Sequence, residues 1–228
     1  METSGIARLG LGSTFYVDQA AYFLAQNPTP GTGFAQNIQT SYSATKPFIT
    51  IFNSAAALVS GSGPGNQVGN ARAIYLDYIR LICSAAGSTT TSGHVVAAID
   101  NGNRYSSGTA STPTPVNLYI GGPASKATIQ VGPITATAAT SAAILLGRSV
   151  LRVAAAPAWI VFDEVILHFS DEGTNEAQSV TATTASRIDV WMPPVVIYPQ
   201  QTFLLAPYNV ANATTAPSFE YEIGYWER

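Results

Sequence analysis

The two histidines, His94 and His168, are the side chains of this chain best suited to acid–base or metal chemistry near neutral pH. Each flanks an apolar run. Neither has a His, Glu or Cys at the spacing of a zinc site or an H-E-x-x-H motif, so both read as half-buried or strand-end histidines and no metal site is expected. Carboxylates come in two adjacent pairs, Asp163-Glu164 and Asp171-Glu172. Acid–base work by a pair requires both groups to reach one substrate. Asp163 and Glu164 lie in a β-forming run, where neighbours point to opposite faces, so they cannot share one. Asp171-Glu172-Gly173-Thr174-Asn175-Glu176 reads as a polar loop. Its oxygens suit calcium, but it lacks the D-x-[DN]-x-[DN]-G spacing.

Nucleophiles fare no better. Serines and threonines abound, yet none sits in a G-x-S-x-G elbow or beside a His in a recognisable motif. Gly61-Ser62-Gly63-Pro64-Gly65 is Gly-rich, but Pro64 removes a donor and no Lys-Ser/Thr pair follows, so it is a loop and not a phosphate cradle. The lone cysteine, Cys83, lies in Ile79-Arg80-Leu81-Ile82-Cys83 and reads as a small core residue. Tyr75, Tyr78, Tyr105, Tyr119, Tyr198, Tyr208 and Trp226 could form a sugar platform, though their strand positions favour core packing. No catalytic residue, cofactor or metal ligand emerges, and the chain is expected not to be an enzyme.

The elements carrying these residues are strands. Phe219, Tyr221, Ile223 and Tyr225 alternate with Glu220, Glu222 and Gly224, the period of a half-buried strand. With the run from Trp191 to Leu205, restarted at Tyr198-Pro199, it reads as two strands closing a sheet. Further strands are read at 46–53, 74–83, 93–100, 113–120, 128–135, 145–153 and 158–168. In the second, Ile74, Leu76, Tyr78 and Arg80 alternate with Tyr75, Asp77, Ile79 and Leu81; two rather apolar faces suit a central strand. Asp100-Asn101-Gly102-Asn103 is the strongest hairpin signal. The Cys…Trp…Cys pattern of an immunoglobulin domain is missing. The reading is all-β: a jelly-roll-like two-sheet β-sandwich over residues 45–228 with an extended N-terminal arm, residues 1–44. The arm carries a Gly-punctuated segment, a possible short helix from Asp18 to about Gln26, and an aromatic patch, Phe15, Tyr16, Tyr22 and Phe23, as the expected docking anchors.

Only 10% of the 228 residues are charged, against roughly a quarter in ordinary soluble domains. Between Gln19 and Tyr75 the only charges are Lys46 and Arg72; between Tyr105 and Gly147 the only one is Lys126. So bare a surface is a solubility risk for a free monomer, and burial among neighbours removes that risk. Net charge is −3 with no basic run, which argues against nucleic-acid binding. No run approaches 18 apolar residues, so no membrane helix is expected. Met1 to Gly10 lacks the apolar core of a signal peptide, and a single Cys fits assembly in a reducing cytoplasm.

The runs Ile74-Tyr75-Leu76-Asp77-Tyr78-Ile79-Arg80-Leu81, Ala98-Ile99-Asp100-Asn101-Gly102-Asn103-Arg104-Tyr105-Ser106-Ser107-Gly108, Pro115-Val116-Asn117, Pro193-Pro194-Val195-Val196-Ile197-Tyr198-Pro199 and Gly224-Tyr225-Trp226-Glu227-Arg228 together resemble small virion structural proteins of tailed bacteriophages. The likeness is greatest to jelly-roll capsid decoration or cement proteins and spans about residues 45–228. Where other members place a Pro-Gly turn, this chain has Pro199-Gln200. The resemblance implies a non-enzymatic protein on the outer capsid surface, stabilising the head, with the major capsid protein and copies of itself (a homotrimer) as partners. It implies neither nucleic-acid nor membrane contact. The alternative is a receptor- or carbohydrate-binding jelly roll of a phage fibre or tail. A small-virus coat protein is disfavoured by the absence of a basic arm.

Overall fold

The computed structural model describes residues 21–56, 59–60, 67–68, 72–87, 92–138, 143–153, 159–169, 187–210 and 214–228. Among these the regular structure is all strand: β1 (Tyr22–Gln26), β2 (Phe34–Ala35), β3 (Ile49–Asn53), β4 (Val59–Ser60), β5 (Gln67–Val68), β6 (Ile74–Ala85), β7 (Ser92–Asn101), β8 (Tyr105–Gly108) and β9 (Val116–Asn117) in the first half. There follow β10 (Ala127–Val131), β11 (Ile134–Ala136), β12 (Ile144–Val153), β13 (Glu164–His168), β14 (Arg187–Trp191), β15 (Val195–Ile197), β16 (Gln201–Val210) and β17 (Ser218–Glu227).

One sheet has the order β14-β13-β6-β17-β1-β9, the other β10-β3-β16-β7-β12. Take the eight principal strands β1, β3, β6, β7, β12, β13, β16 and β17 in chain order as B to I. The sheets then contain B-I-D-G and C-H-E-F, every neighbouring pair antiparallel. That order is a jelly roll, in which two Greek keys wrap into one sandwich. β16 and β17 therefore do not close one sheet; they lie in opposite ones. The long connection from β7 to β12 is an insertion. It supplies β10 as an extra edge strand, β9 beside β1, and the pair β8–β11.

Inward-facing residues of both sheets make one core. Phe219, Tyr221, Ile223 and Tyr225 are all buried, as their alternation requires. Aromatic rings lock the two layers edge to face: Phe48–Phe219 at 5.8 Å, Trp159–Phe219 at 4.9 Å and Phe169–Phe203 at 5.4 Å. Cys83 is buried in this core. A smaller cluster of Ala98, Leu204 and Ala136 lies on the other side of the C-H-E-F sheet, where β11 of the insertion covers it.

Several local expectations are corrected. Tyr22 and Phe23 are not arm residues, since β1 is the B strand, paired with β17 on one side and β9 on the other. Phe23 is buried and stacked on Tyr225, 5.6 Å between centroids. The run Tyr22-Phe23-Leu24-Ala25 suits helix and strand alike; the otherwise open edge of β17 decides for strand over residues 22–26. Residues 27–48 are also tied down, through β2 on β17, Gln36 N to Pro217 O (3.1 Å) and Gln39 Nε2 to Pro207 O (2.9 Å). The sandwich thus begins at Tyr22 and not at residue 45; Phe15, Tyr16 and Asp18 lie outside the described residues.

The turn at Asp100-Asn101-Gly102-Asn103 does reverse the chain, with Gly102 at φ 77°, but makes no hairpin. Both sides of β7 are already taken by β16 and β12, so β8 leaves the sheet and pairs with β11. On β6 the alternation shifts phase. Gly224 pairs with Tyr78 and Tyr225 with Leu76, leaving Asp77 as the extra residue of a β-bulge. Ile74 and Leu76, then Ile79, Leu81 and Cys83, all face the core. Finally, 159–163 is not strand but a turn preceding β13. The Pro199-Gln200 turn is of type II, because proline holds φ near −65° and Gln200 adopts φ 63°. Gln200 Nε2 donates to Ala55 O at 2.8 Å, fixing that strained residue.

Candidate functional site

The bulge on β6 puts Asp77 and Tyr78 together on the outer face of the B-I-D-G sheet, which is the polar face of the molecule. Tyr22 Oη donates to Asp77 Oδ2 at 2.7 Å, and Tyr78 Oη donates to Glu222 Oε1. Arg80 Nε donates to Glu164 Oε1 at 2.6 Å, with Glu222 Oε2 3.6 Å from its Nη1. Burial, reinforced by the neighbouring carboxylates, holds the phenols of Tyr22 and Tyr78 well above their ordinary pKa, so both remain donors. Room for the two rings comes from Gly224, where a Cβ would lie 2.3 Å from Tyr78 Cε1 and 2.5 Å from Tyr22 Oη. Trp226 stacks on Tyr75 at 5.8 Å and 4° beside this layer. A shallow cleft of about 180 Å³ opens next to it, lined by Gln26, Asn27, Pro30, Arg80, Ile82, Glu220, Tyr221 and Glu222.

This face binds itself more than it offers chemistry. Arg80 is shared between Glu164 and Glu222, and no nucleophile lies among them. Asp163 is buried, its Oδ2 accepting from Ile160 N at 2.8 Å, while Glu164 faces outward; the pair is split, but Asp163 closes the turn before β13 and is not in the strand. His94 is buried, stacked on Tyr208 at 4.9 Å, with Arg148 Nη2 3.3 Å from its Nδ1. Burial, then the Arg148 charge, lowers its pKa. His168 Nε2 lies 3.9 Å from Asp189 Oδ1, far from His94 on the other sheet. Among the described residues no three His, Cys, Asp or Glu side chains gather as metal ligands. The loops 61–66 and 171–176 lie outside the described residues.

The aromatics proposed as a platform divide. Tyr208 is buried, Tyr75, Tyr78, Tyr105 and Trp226 are half-buried, and Tyr119 and Tyr198 are exposed. What sequence reasoning missed is a set of ordered, exposed apolar side chains. Val116, Leu118, Tyr119 and Ile120 crown the turn after β9. That turn is held by Leu118 N to Tyr22 O (3.1 Å), Tyr119 N to Asn117 Oδ1 (2.9 Å), Asn117 Nδ2 to Pro123 O (3.0 Å) and Gly122 N to Tyr119 O (2.9 Å). Ile144, Leu145 and Trp191 lie along the opposite edge strands.

At one end Val161 and Phe162 form the tip of the turn that Asp163 N closes on Ile160 O, 2.9 Å. Phe162 is 75% exposed at φ 73°, a conformation that costs a bulky residue energy. Phe162 N to Cys83 O (2.7 Å) and Cys83 N to Asp163 O (2.8 Å) pin the turn to β6. The signal legible in the sequence was Val116 to Ile120, four apolar residues in five within a segment free of charge.

No family model, no curated protein and no solved structure matches this chain.

Proposed function

We propose that the chain is a non-enzymatic capsid decoration, or cement, protein that binds the major capsid protein on the outer surface of a bacteriophage head and stabilises the shell. One observation carries this reading: a jelly roll with little charge presents ordered, large apolar side chains at both flanks and at a loop end. Patches of this kind mark interaction surfaces. The likeness of the strand-end motifs to virion structural proteins supports the same reading, as does a fold shared by shell proteins, though fold alone assigns no function.

In this reading Phe162 is the shell anchor. Its ring projects from a turn clamped to the core, so docking loses little conformational entropy. Binding the assembled shell but not free subunits stabilises the shell by mass action. The test is heat-induced DNA release from particles with and without the protein, and with a Phe162→Asp form. Release at a lower temperature without the protein, and with the variant, is expected. Equal release temperatures refute the cement role.

The half-exposed Trp226–Tyr75 stack on the same sheet favours a second reading, a receptor- or carbohydrate-binding module, because a flat ring pair suits a sugar face. Unchanged DNA release together with lost adsorption to host cells is the outcome that selects it.

A further inference from the structure

Two apolar patches stand on opposite flanks of the sandwich. Beyond β1, Val116, Leu118, Tyr119 and Ile120 are 44–97% exposed, Ile120 most of all. On the far flank Ile144 of β12 and Trp191 of β14 are 60% and 50% exposed, while Leu145 shares the side of Ala98, on the outer face of the other sheet. β12 and β14 are brought together there by Gly147, where a Cβ would meet Met192 Sδ at 3.0 Å. β9 and β14 are the two ends of one sheet. Their apolar residues are also level with each other. Paired positions run Val116, Leu24, Gly224, Tyr78, His168, Trp191 in one row across all six strands.

We propose that copies of this chain associate head to tail, the 116–120 tip of one copy seated against the β12–β14 edge of the next, at Ile144 and Trp191. Isologous pairing through either flank covers that flank and leaves the other in water. A single heterologous contact covers both, and repeats until it closes into a ring or extends into a filament. At roughly 200 Å² for each fully exposed large side chain, the two patches amount to on the order of 700 Å² of apolar surface. With a polar rim, that reaches the range of stable interfaces, about 1,200–2,000 Å². The tip is already ordered by its own hydrogen bonds, so little loop entropy is lost on docking. From Tyr105 to Ser125 the chain holds no charge that association would strip of water.

The test uses the full chain and two single substitutions at exposed positions, Ile120→Asp and Trp191→Asp, with circular dichroism and melting curves to confirm that each folds. Sedimentation should show the wild type associated and each variant alone monomeric. A one-to-one mixture of the variants is the decisive arm. The Trp191→Asp chain retains its tip and the Ile120→Asp chain retains its receiving flank, so together they make one contact and stop at a dimer. The mixture is followed up to about 1 mM, where even a weak single contact is populated. A monomeric wild type, a variant that still associates alone, or a mixture that stays monomeric would each overturn the proposal. The isolated chain is the only component present, so the result is independent of the cement reading, which particle binding tests separately.

Discussion

Replacing Arg104 by methionine should be among the most damaging single changes in this protein. Arg104 and Asp100 form a fully buried ion pair, their side chains 1% and 0% exposed, with Nη1 donating to Asp100 Oδ2. Arg104 also donates from Nε and Nη2 to Thr137 O, 3.1 and 2.5 Å, and from Nη2 to Ala44 O, 3.2 Å. One guanidinium thus joins the end of β7, the return of the insertion and the segment leading into β3. Methionine fills much of the volume but leaves the Asp100 carboxylate buried without its cation. Removing one partner of a buried pair costs about 3–5 kcal/mol, and stranded carbonyls add to that. At about 2–4 °C per kcal/mol for a chain of this size, the melting temperature should fall by roughly 10–20 °C. Adding Asp100→Asn removes the stranded charge while keeping an acceptor for Asn101 N, now 2.8 Å from Asp100 Oδ1. The double variant should therefore recover at least about 2 kcal/mol relative to Arg104→Met, and the coupling energy of the cycle exceeds that recovery by the cost of Asp100→Asn alone. Urea unfolding at pH 7 measures all four corners of the cycle. An Arg104→Met chain within about 1 kcal/mol of wild type, or a double variant no better than the single, refutes the reasoning.

Gly224→Ala should cost about 3–6 kcal/mol in urea unfolding, because the new Cβ displaces Tyr78 and Tyr22 from bonds to carboxylates worth about 1.5–3 kcal/mol each. On a Tyr78→Phe background the same change should cost less. His94 keeps its pKa below the ordinary 6.5 in the fold, so the unfolded chain takes up its proton first. Stability should be greatest above pH 6.5 and decline as pH falls through that value towards the folded-state pKa, and the denaturation midpoint of His94→Gln should fall less over that window. Phe162→Gly should leave stability unchanged or raise it by about 1 kcal/mol, since glycine accepts φ 73° without strain. A clear loss of melting temperature would show that the exposed ring packs on its own fold. Deleting residues 1–26 removes β1 with Phe23 and should abolish cooperative unfolding, whereas deleting 1–20 leaves every described β1 ladder pair in place and should not.

Period-two alternation was enough to determine the all-β class and most strand positions from sequence, because side-chain direction in a strand follows from the backbone alone. It placed Phe219, Tyr221, Ile223 and Tyr225 on one buried face. It could not say which strands pair. Tyr22-Phe23-Leu24-Ala25 became the B strand because β17 had an edge to fill, and Asp100-Asn101-Gly102 failed to make a hairpin because both edges of β7 were already occupied. Both outcomes depend on residues from about 45 to 200 positions away. The same holds for the bulge at Asp77, which gathers Tyr22, Tyr78, Arg80 and Glu222 on one face although local alternation would turn Tyr78 inward. Exposure is likewise a tertiary property. Leu118, Ile120 and Phe162 have the composition of core residues, and only the packed sandwich, its interior already full, leaves them outside.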